Sequence, residues 1–110
     1  VRDEKLMDLE EAVYHLTEQP ARLYGLRNRG RIEVGYCADV VVLDPLTVGP
    51  GPVYTKFDMP AGAGRVYGEA EGINHVLING VEAVRNGEIL TSRPGTLLRS
   101  GRDTDTVTAR

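Results

Sequence analysis

The chain has 110 residues, 26% of them charged, and a formal net charge of −3. That length holds one small domain, and so balanced a charge does not suggest a nucleic-acid binder, which is usually basic with a clustered Lys/Arg face. The 41% hydrophobic content permits a core, but no apolar run approaches the roughly 20 residues that a membrane helix needs.

The first five residues, Val1-Arg2-Asp3-Glu4-Lys5, are charged and lack the apolar centre of a signal peptide. No initiator Met is present, so the chain is expected to begin inside a longer polypeptide or after processing. One cysteine, Cys37, excludes an internal disulfide and points to a reduced, cytoplasmic setting.

The first element expected is a helix over residues 8–17. Asp8 and Glu11 have the spacing of a capping box. Glu10 and Glu11 place negative charge in the first turn, where the helix dipole favours it. Leu9, Ala12, Val13 and Leu16 then line one apolar face. Pro20 breaks this helix and is expected to open a second one through Ala21, Leu23 and Tyr24, with Gly25 as its C-cap. Residues 8–25 therefore read as two angled helices or a helical hairpin.

Beyond Gly30 the period changes. Arg31-Ile32-Glu33-Val34 alternates polar and apolar, as a half-buried strand does, and Gly35-Tyr36 reads as a turn. Asp39-Val40-Val41-Val42-Leu43-Asp44 is a β-branched run bounded by Asp and by Pro45, expected as a strand buried on both faces. Residues 45–72 show no period and are punctuated by Gly49-Pro50-Gly51-Pro52 and Pro60-Ala61-Gly62-Ala63-Gly64. They read as a long connection that wraps over a neighbouring surface.

A meander follows. His75-Val76-Leu77-Ile78 is a strand, Asn79-Gly80 a type I′ turn, and Val81-Glu82-Ala83-Val84-Arg85 the return strand. Asn86-Gly87 offers a second turn before Glu88-Ile89-Leu90. Beyond Pro94 the chain is polar and is expected to run as an extended tail docked on a neighbouring surface.

Few residues are equipped for chemistry. His15 and His75 are the two histidines, Ser92 and Ser100 the two serines, and no HxH or Cys/His cluster occurs. His15 lies off the apolar face of its helix and is expected at the surface. His75, at the start of a strand, is expected to make structural hydrogen bonds. Cys37 has no histidine near it in sequence and reads as a small half-buried side chain. Asp39 and Asp44 stand five apart on one strand, so they point to opposite faces and read as turn and cap acceptors, not as an acid/base pair. Lys56, Asp58 and Arg65, in the Gly/Pro-rich connection, have the best opportunity to approach a substrate cleft, although a solvated loop accounts for them more simply.

The order of these pieces resembles the C-terminal part of the amidohydrolase superfamily. The resemblance is carried by Leu9-Glu10-Glu11-Ala12-Val13, Thr17 with Pro20-Ala21, Gly25-Leu26, Gly30, Ile32, Gly35 and Ala38-Asp39-Val40-Val41-Val42-Leu43-Asp44. It continues through Gly72-Ile73, Val76-Leu77-Ile78-Asn79-Gly80, Val84 and Asn86-Gly87. The stretch from Arg65-Val66-Tyr67 to Gly72-Ile73 and the ending Pro94-Gly95-Thr96-Leu97-Leu98-Arg99-Ser100-Gly101-Arg102-Asp103 are similar to the D-aminoacylase branch, the N-acyl-D-amino-acid deacylases.

The resemblance implies an α+β chain with mostly antiparallel or mixed strands. Residues 1–28 would be the terminal helices of a (β/α)8 barrel, residues 29–98 part of a composite β-sandwich, and residues 99–110 a polar tail. It also implies a zinc-dependent parent enzyme that cleaves linear amide C–N bonds of N-acyl-D-amino acids. The ligands of such a zinc centre match no residue of this chain, so no catalytic, substrate-binding or metal-ligating residue is assigned and zinc is expected only in the full-length parent. The partners implied are the upstream barrel and the N-terminal strands of that parent. A homo-oligomer is expected if the chain is isolated, and neither nucleic acid nor membrane is expected to bind. The competing reading is a stand-alone β module for oligomerisation or partner binding, with a split enzyme as a third possibility.

Overall fold

In a computed structural model the described residues are 1–108. Two short helices open the chain, α1 (Leu9–Leu16) and α2 (Glu18–Leu23). Asp8 caps α1 by accepting the Glu11 backbone N–H at 2.8 Å, so the cap lies where the Asp8/Glu11 spacing puts it. Proline does not open the second helix, however. α2 starts two residues earlier, at Glu18, and Pro20 occupies its first turn, where a missing N–H costs no helical bond.

The alternating segment Arg31–Val34 forms no strand. Ile32 is 87% exposed and Val34 fully so. A strand needs a neighbour to take its backbone hydrogen bonds, and here the backbone instead turns, the Tyr36 N–H bonding to the Glu33 carbonyl at 3.0 Å.

The strands are β1 (Val40–Leu43), β2 (Gly49–Lys56), β3 (Arg65–Glu71), β4 (Ile73–Ile78), β5 (Val81–Arg85) and β6 (Glu88–Ile89), with a 3-10 turn at Pro60–Gly62. One sheet runs in the order β1-β4-β5-β6 and a second consists of β2 and β3, every pairing antiparallel. The chain is thus α+β with antiparallel sheets.

Two expectations fail in this region, each for its own reason. β1 is an edge strand, and Val41 and Val42 are exposed; a β-branched run gives a strand its propensity but not its neighbours. The stretch 45–72, read as irregular, holds the β2–β3 hairpin. Gly49-Pro50-Gly51-Pro52 masks the period, and the register slips between Pro50 and Val53, an irregularity that lets prolines sit in an edge strand.

The meander forms as its turn residues dictate. Asn79 and Gly80 both take positive φ, 50° and 78°, as a type I′ turn requires, and Asn86-Gly87 repeats the geometry. β4 begins at Ile73, two residues before His75.

Cross-strand partners share a face of a sheet. The register aligns Val41, Val76, Val84 and Ile89 across all four strands. On the opposite face the same ladder aligns Val42, His75, Arg85 and Glu88. The sheet therefore has an apolar stripe on one side and a largely polar row on the other, and Ile89, at the end of the stripe, is 79% exposed.

Among the described residues the only buried hydrophobic side chain is Ala21. The accessible surface is 8777 Å², whereas a folded monomer of this mass exposes about 6000 Å². The radius of gyration is 16.6 Å against about 13 Å for a closed domain of this length. Secondary structure is in place, but the apolar face of α1 and the stripe of the larger sheet are left without cover.

The tail does dock, and on this chain. Leu26 and Thr104 form an antiparallel bridge, and Arg27 pairs with Asp105 at 2.7 Å. Residues 109 and 110 of the expected tail lie outside the described residues.

Candidate functional site

The three residues singled out in the long connection meet at the tip of the β2–β3 hairpin. Lys56 and Arg65 are cross-strand partners, so two like charges face each other, which is unfavourable by itself. Asp58 resolves the conflict. Its carboxylate accepts from Arg65 Nε at 2.6 Å and Nη2 at 2.7 Å, and lies 3.6 Å from Lys56 Nζ. Tyr67 provides a platform beneath both cations, Lys56 Nζ lying 4.4 Å and Arg65 Cζ 4.8 Å from the ring centre. Tyr54 packs edge-on against Tyr67 at 5.6 Å.

The electrostatics of this cluster speak against acid/base work. Hydrogen bonding from Arg65, outweighing desolvation and reinforced by the charges of Arg65 and Lys56, pulls the Asp58 carboxyl down to about 2. A general base works best with a pKa near the operating pH. Asp58 is a poor proton acceptor at neutrality and acts as an internal counter-ion.

His75 makes the structural bond expected of it. Its Nδ1 lies 2.7 Å from Glu82 Oε1, and Arg85 donates to the other oxygen of Glu82, from Nε at 3.0 Å and also from Nη2. The Arg85 and His75 hydrogen bonds hold the Glu82 carboxyl at about 2. Both strongly shifted carboxylates are thus shifted downward by cations, the signature of ion-pair networks more than of catalytic groups.

His15 lies exposed in the last turn of α1, with its Nδ1 2.5 Å from Gln19 Oε1. Asp39 and Asp44 do not meet each other. Asp39 accepts the Asn79 backbone N–H at 2.9 Å and pairs with Arg29. Burial pushes its carboxyl up, but the Asn79 N–H and Arg29 outweigh that and leave it below the usual value. Asp44 accepts the Leu46 N–H at 2.9 Å in a turn. Cys37 is half-buried, its N–H donating to the Asn28 backbone carbonyl at 2.8 Å.

Sequence reasoning missed Tyr54, Tyr67, Glu82 and Arg85 as partners in these networks. The signal was available for the last two, since Glu82 and Arg85 lie on the strand expected to return against His75. It was hidden for the tyrosines, because their strands were not recognised.

Among the described residues no group of three or more His, Cys, Asp or Glu side chains could hold a metal ion. The donor set does not fit a zinc centre. His15 and His75 lie on separate elements, and each is engaged with side chains of its own neighbourhood. No helix among the described residues is long and apolar enough to cross a membrane.

Comparison with known proteins gives a consistent result. The family model described as "Amidohydrolase family" matches residues 1–84. The chain is 43% identical over 99 residues to an N-acyl-D-glutamate deacylase of Alcaligenes xylosoxydans xylosoxydans, covering 90% of this chain and 18% of that protein. It is 33% identical over 101 residues to an N-acyl-D-aspartate deacylase of the same organism, covering 92% of this chain and 18% of that protein. A D-aminoacylase of that organism is 39% identical over 79 residues, covering 72% of this chain and 14% of that protein. The chain therefore spans less than a fifth of the length of these relatives. No solved structure matches it. From the family model and these relatives together, the chain belongs to the amidohydrolase family.

Proposed function

We propose that this chain is a non-catalytic C-terminal portion of a zinc-dependent amidohydrolase that cleaves the linear amide C–N bond of N-acyl-D-amino acids, with acidic side chains as the preferred class. The substrate part of this reading draws on the relatives named as deacylases of N-acyl-D-glutamate and N-acyl-D-aspartate.

The observation that carries the scaffold role is the uncovered surface. The chain exposes 8777 Å², roughly 2800 Å² more than a closed monomer of its mass. An obligate homodimer buries about 1000–2500 Å² or more per partner. The excess lies at the upper end of that scale, which favours a large body of the same polypeptide as the cover over a second copy of this chain.

In this reading residues 1–28 are the terminal barrel helices, residues 29–98 a part of a composite β-sandwich, and residues 99–110 a polar tail. The upstream barrel and N-terminal strands cover the apolar stripe and the face of α1. Zinc belongs to the remainder of the enzyme, and the setting is cytoplasmic. The residues of this chain position and support; none of them carries a bond-making step.

The test is to express the chain alone and together with the upstream polypeptide. Alone it is expected to self-associate and to release no D-glutamate from N-acetyl-D-glutamate. With the upstream part it is expected to co-purify, and hydrolysis is expected to appear. Stoichiometric zinc with amidase activity in the isolated chain overturns the proposal.

A second reading, a stand-alone β module, is favoured by the open edges of β1 and β6, which invite pairing. Light scattering that returns a well-folded monomer counts against it.

A further inference from the structure

The C-terminal segment is built to engage one place. Leu26 and Thr104 pair as an antiparallel bridge, and the Asp105 N–H donates to the Gly25 carbonyl at 2.8 Å. The Arg27 guanidinium spans the segment, donating to Asp105 Oδ1 at 2.7 Å, to the Thr104 carbonyl at 3.2 Å and to the Arg102 carbonyl at 3.3 Å. The segment also holds its own shape. Asp103 accepts the Arg99 N–H at 2.8 Å, and Thr104 Oγ1 accepts the Gly101 N–H at 3.1 Å.

The receiving turn is matched to it. Gly25 has φ +64°, and a Cβ there would stand 2.1 Å from the Asp105 carbonyl oxygen. Only a residue without a side chain admits the tail at this point. The same short stretch reaches the two other parts of the molecule. The Leu26 N–H bonds to the Ala21 carbonyl of α2 at 2.8 Å. Asn28 accepts the Cys37 N–H, and Arg29 pairs with Asp39 and donates to Asn79 Oδ1 at 2.9 Å at the end of β4.

We propose that residues 99–107 form a latch, which docks through a β-bridge on the turn 25–27 and steadies the junction 25–29 that leads from the helical pair to the four-stranded sheet. The Arg27–Asp105 pair is largely exposed and contributes little alone. The backbone bridge and the three-way grip of Arg27 give the docking its register. Leu23 and Tyr24 stay largely exposed beside the docked segment and, with Ser100, Gly101 and Thr104, border an open hollow of about 290 Å³. The role does not depend on the hydrolase reading.

Trypsin reads the latch directly, because Arg99 lies at its start. In the full chain, cleavage after Arg99 is expected to be at least tenfold slower than in a free peptide spanning residues 95–108. Gly25→Ala and Arg27→Gln are each expected to remove most of that protection while cleavage after Arg85, at the end of β5, stays unchanged. Arg27→Gln leaves the backbone of the turn intact, so it separates loss of the latch from a misfolded turn. Wild-type cleavage after Arg99 at the free-peptide rate overturns the proposal. So does protection that neither variant reduces. Protection that depends on protein concentration shows the tail docking on a second copy, and overturns docking within one chain.

Discussion

The Arg29 guanidinium donates to Asn79 Oδ1 at 2.9 Å, joining residues 50 apart in sequence. Asn79 Nδ2 in turn donates to the Pro94 carbonyl at 2.7 Å, and its backbone N–H reaches Asp39 at 2.9 Å. One turn residue therefore ties together the junction after the helices, the start of β1 and the segment leading to the tail.

Asn79 carries two separable roles, and two substitutions distinguish them. Asn79→Gly keeps the positive φ of the turn but removes the side-chain bonds. It is expected to cost about 1–2 kcal/mol, the scale of hydrogen bonds left unmade beside a charged partner. Asn79→Ala adds a left-handed backbone penalty of about 1 kcal/mol. Urea unfolding of the longer polypeptide should rank wild type above Asn79→Gly and Asn79→Gly above Asn79→Ala. Equal stability for the two variants refutes the turn assignment.

The hairpin tip should respond to acid in a defined window. The Asp58 carboxyl is lowered from 3.8 to about 2 by Arg65 first. A lowered carboxyl contributes stability that is fully present above the ordinary value and is lost as pH falls through the folded value. The ion pair is expected to persist from neutrality to about pH 4 and to fail towards pH 2. A carboxyl-carbon NMR titration of Asp58 checks this, and Arg65→Gln should move the midpoint up towards 3.8.

The Asp8 cap is a local test of α1. Asp8→Ala removes the acceptor for the Glu11 N–H and is expected to cost about 1 kcal/mol. Amide exchange should accelerate at Glu11 and its neighbours in the first turn, with the protection of β4 and β5 unchanged. Uniform acceleration across the chain would contradict a purely local role.

The apolar stripe separates cover by the parent enzyme from a self-sufficient module. Val41 and Ile89 lie at its two ends and are exposed in this chain. Val41→Lys with Ile89→Lys should raise the solubility of the isolated chain and reduce its self-association. In the longer polypeptide the same pair should lower Tm by several degrees, since about 1 kcal/mol shifts Tm by roughly 2–4 °C in larger domains. An unchanged Tm there means that something else occupies the space above the sheet.

Local chemistry was readable wherever its partners lie close in sequence. Asp8 with Glu11 gave the start of α1, and Asn79-Gly80 and Asn86-Gly87 gave both turns of the meander, because caps and type I′ turns depend on a few adjacent residues. Arg31–Val34 misled for the opposite reason. Its alternation describes a side chain's preference for a half-buried face, and in this chain no neighbouring strand meets it. The hairpin tip lay between these cases. Lys56, Asp58 and Arg65 were marked by type, but their meeting required the β2–β3 register, which Gly49-Pro50-Gly51-Pro52 conceals.

The sequence by itself determined the family, the caps, the meander turns and the shortage of groups for hydrolytic chemistry. Only the tertiary structure decided that β1 is an edge, that Asp58 neutralises two opposed cations, that Gly25 receives the tail and that the apolar stripe is uncovered. The physical reason is range. Propensity and turn chemistry act over a few bonds, whereas burial and strand neighbours depend on contacts between distant parts of the chain, and for the stripe on the cover it lacks here.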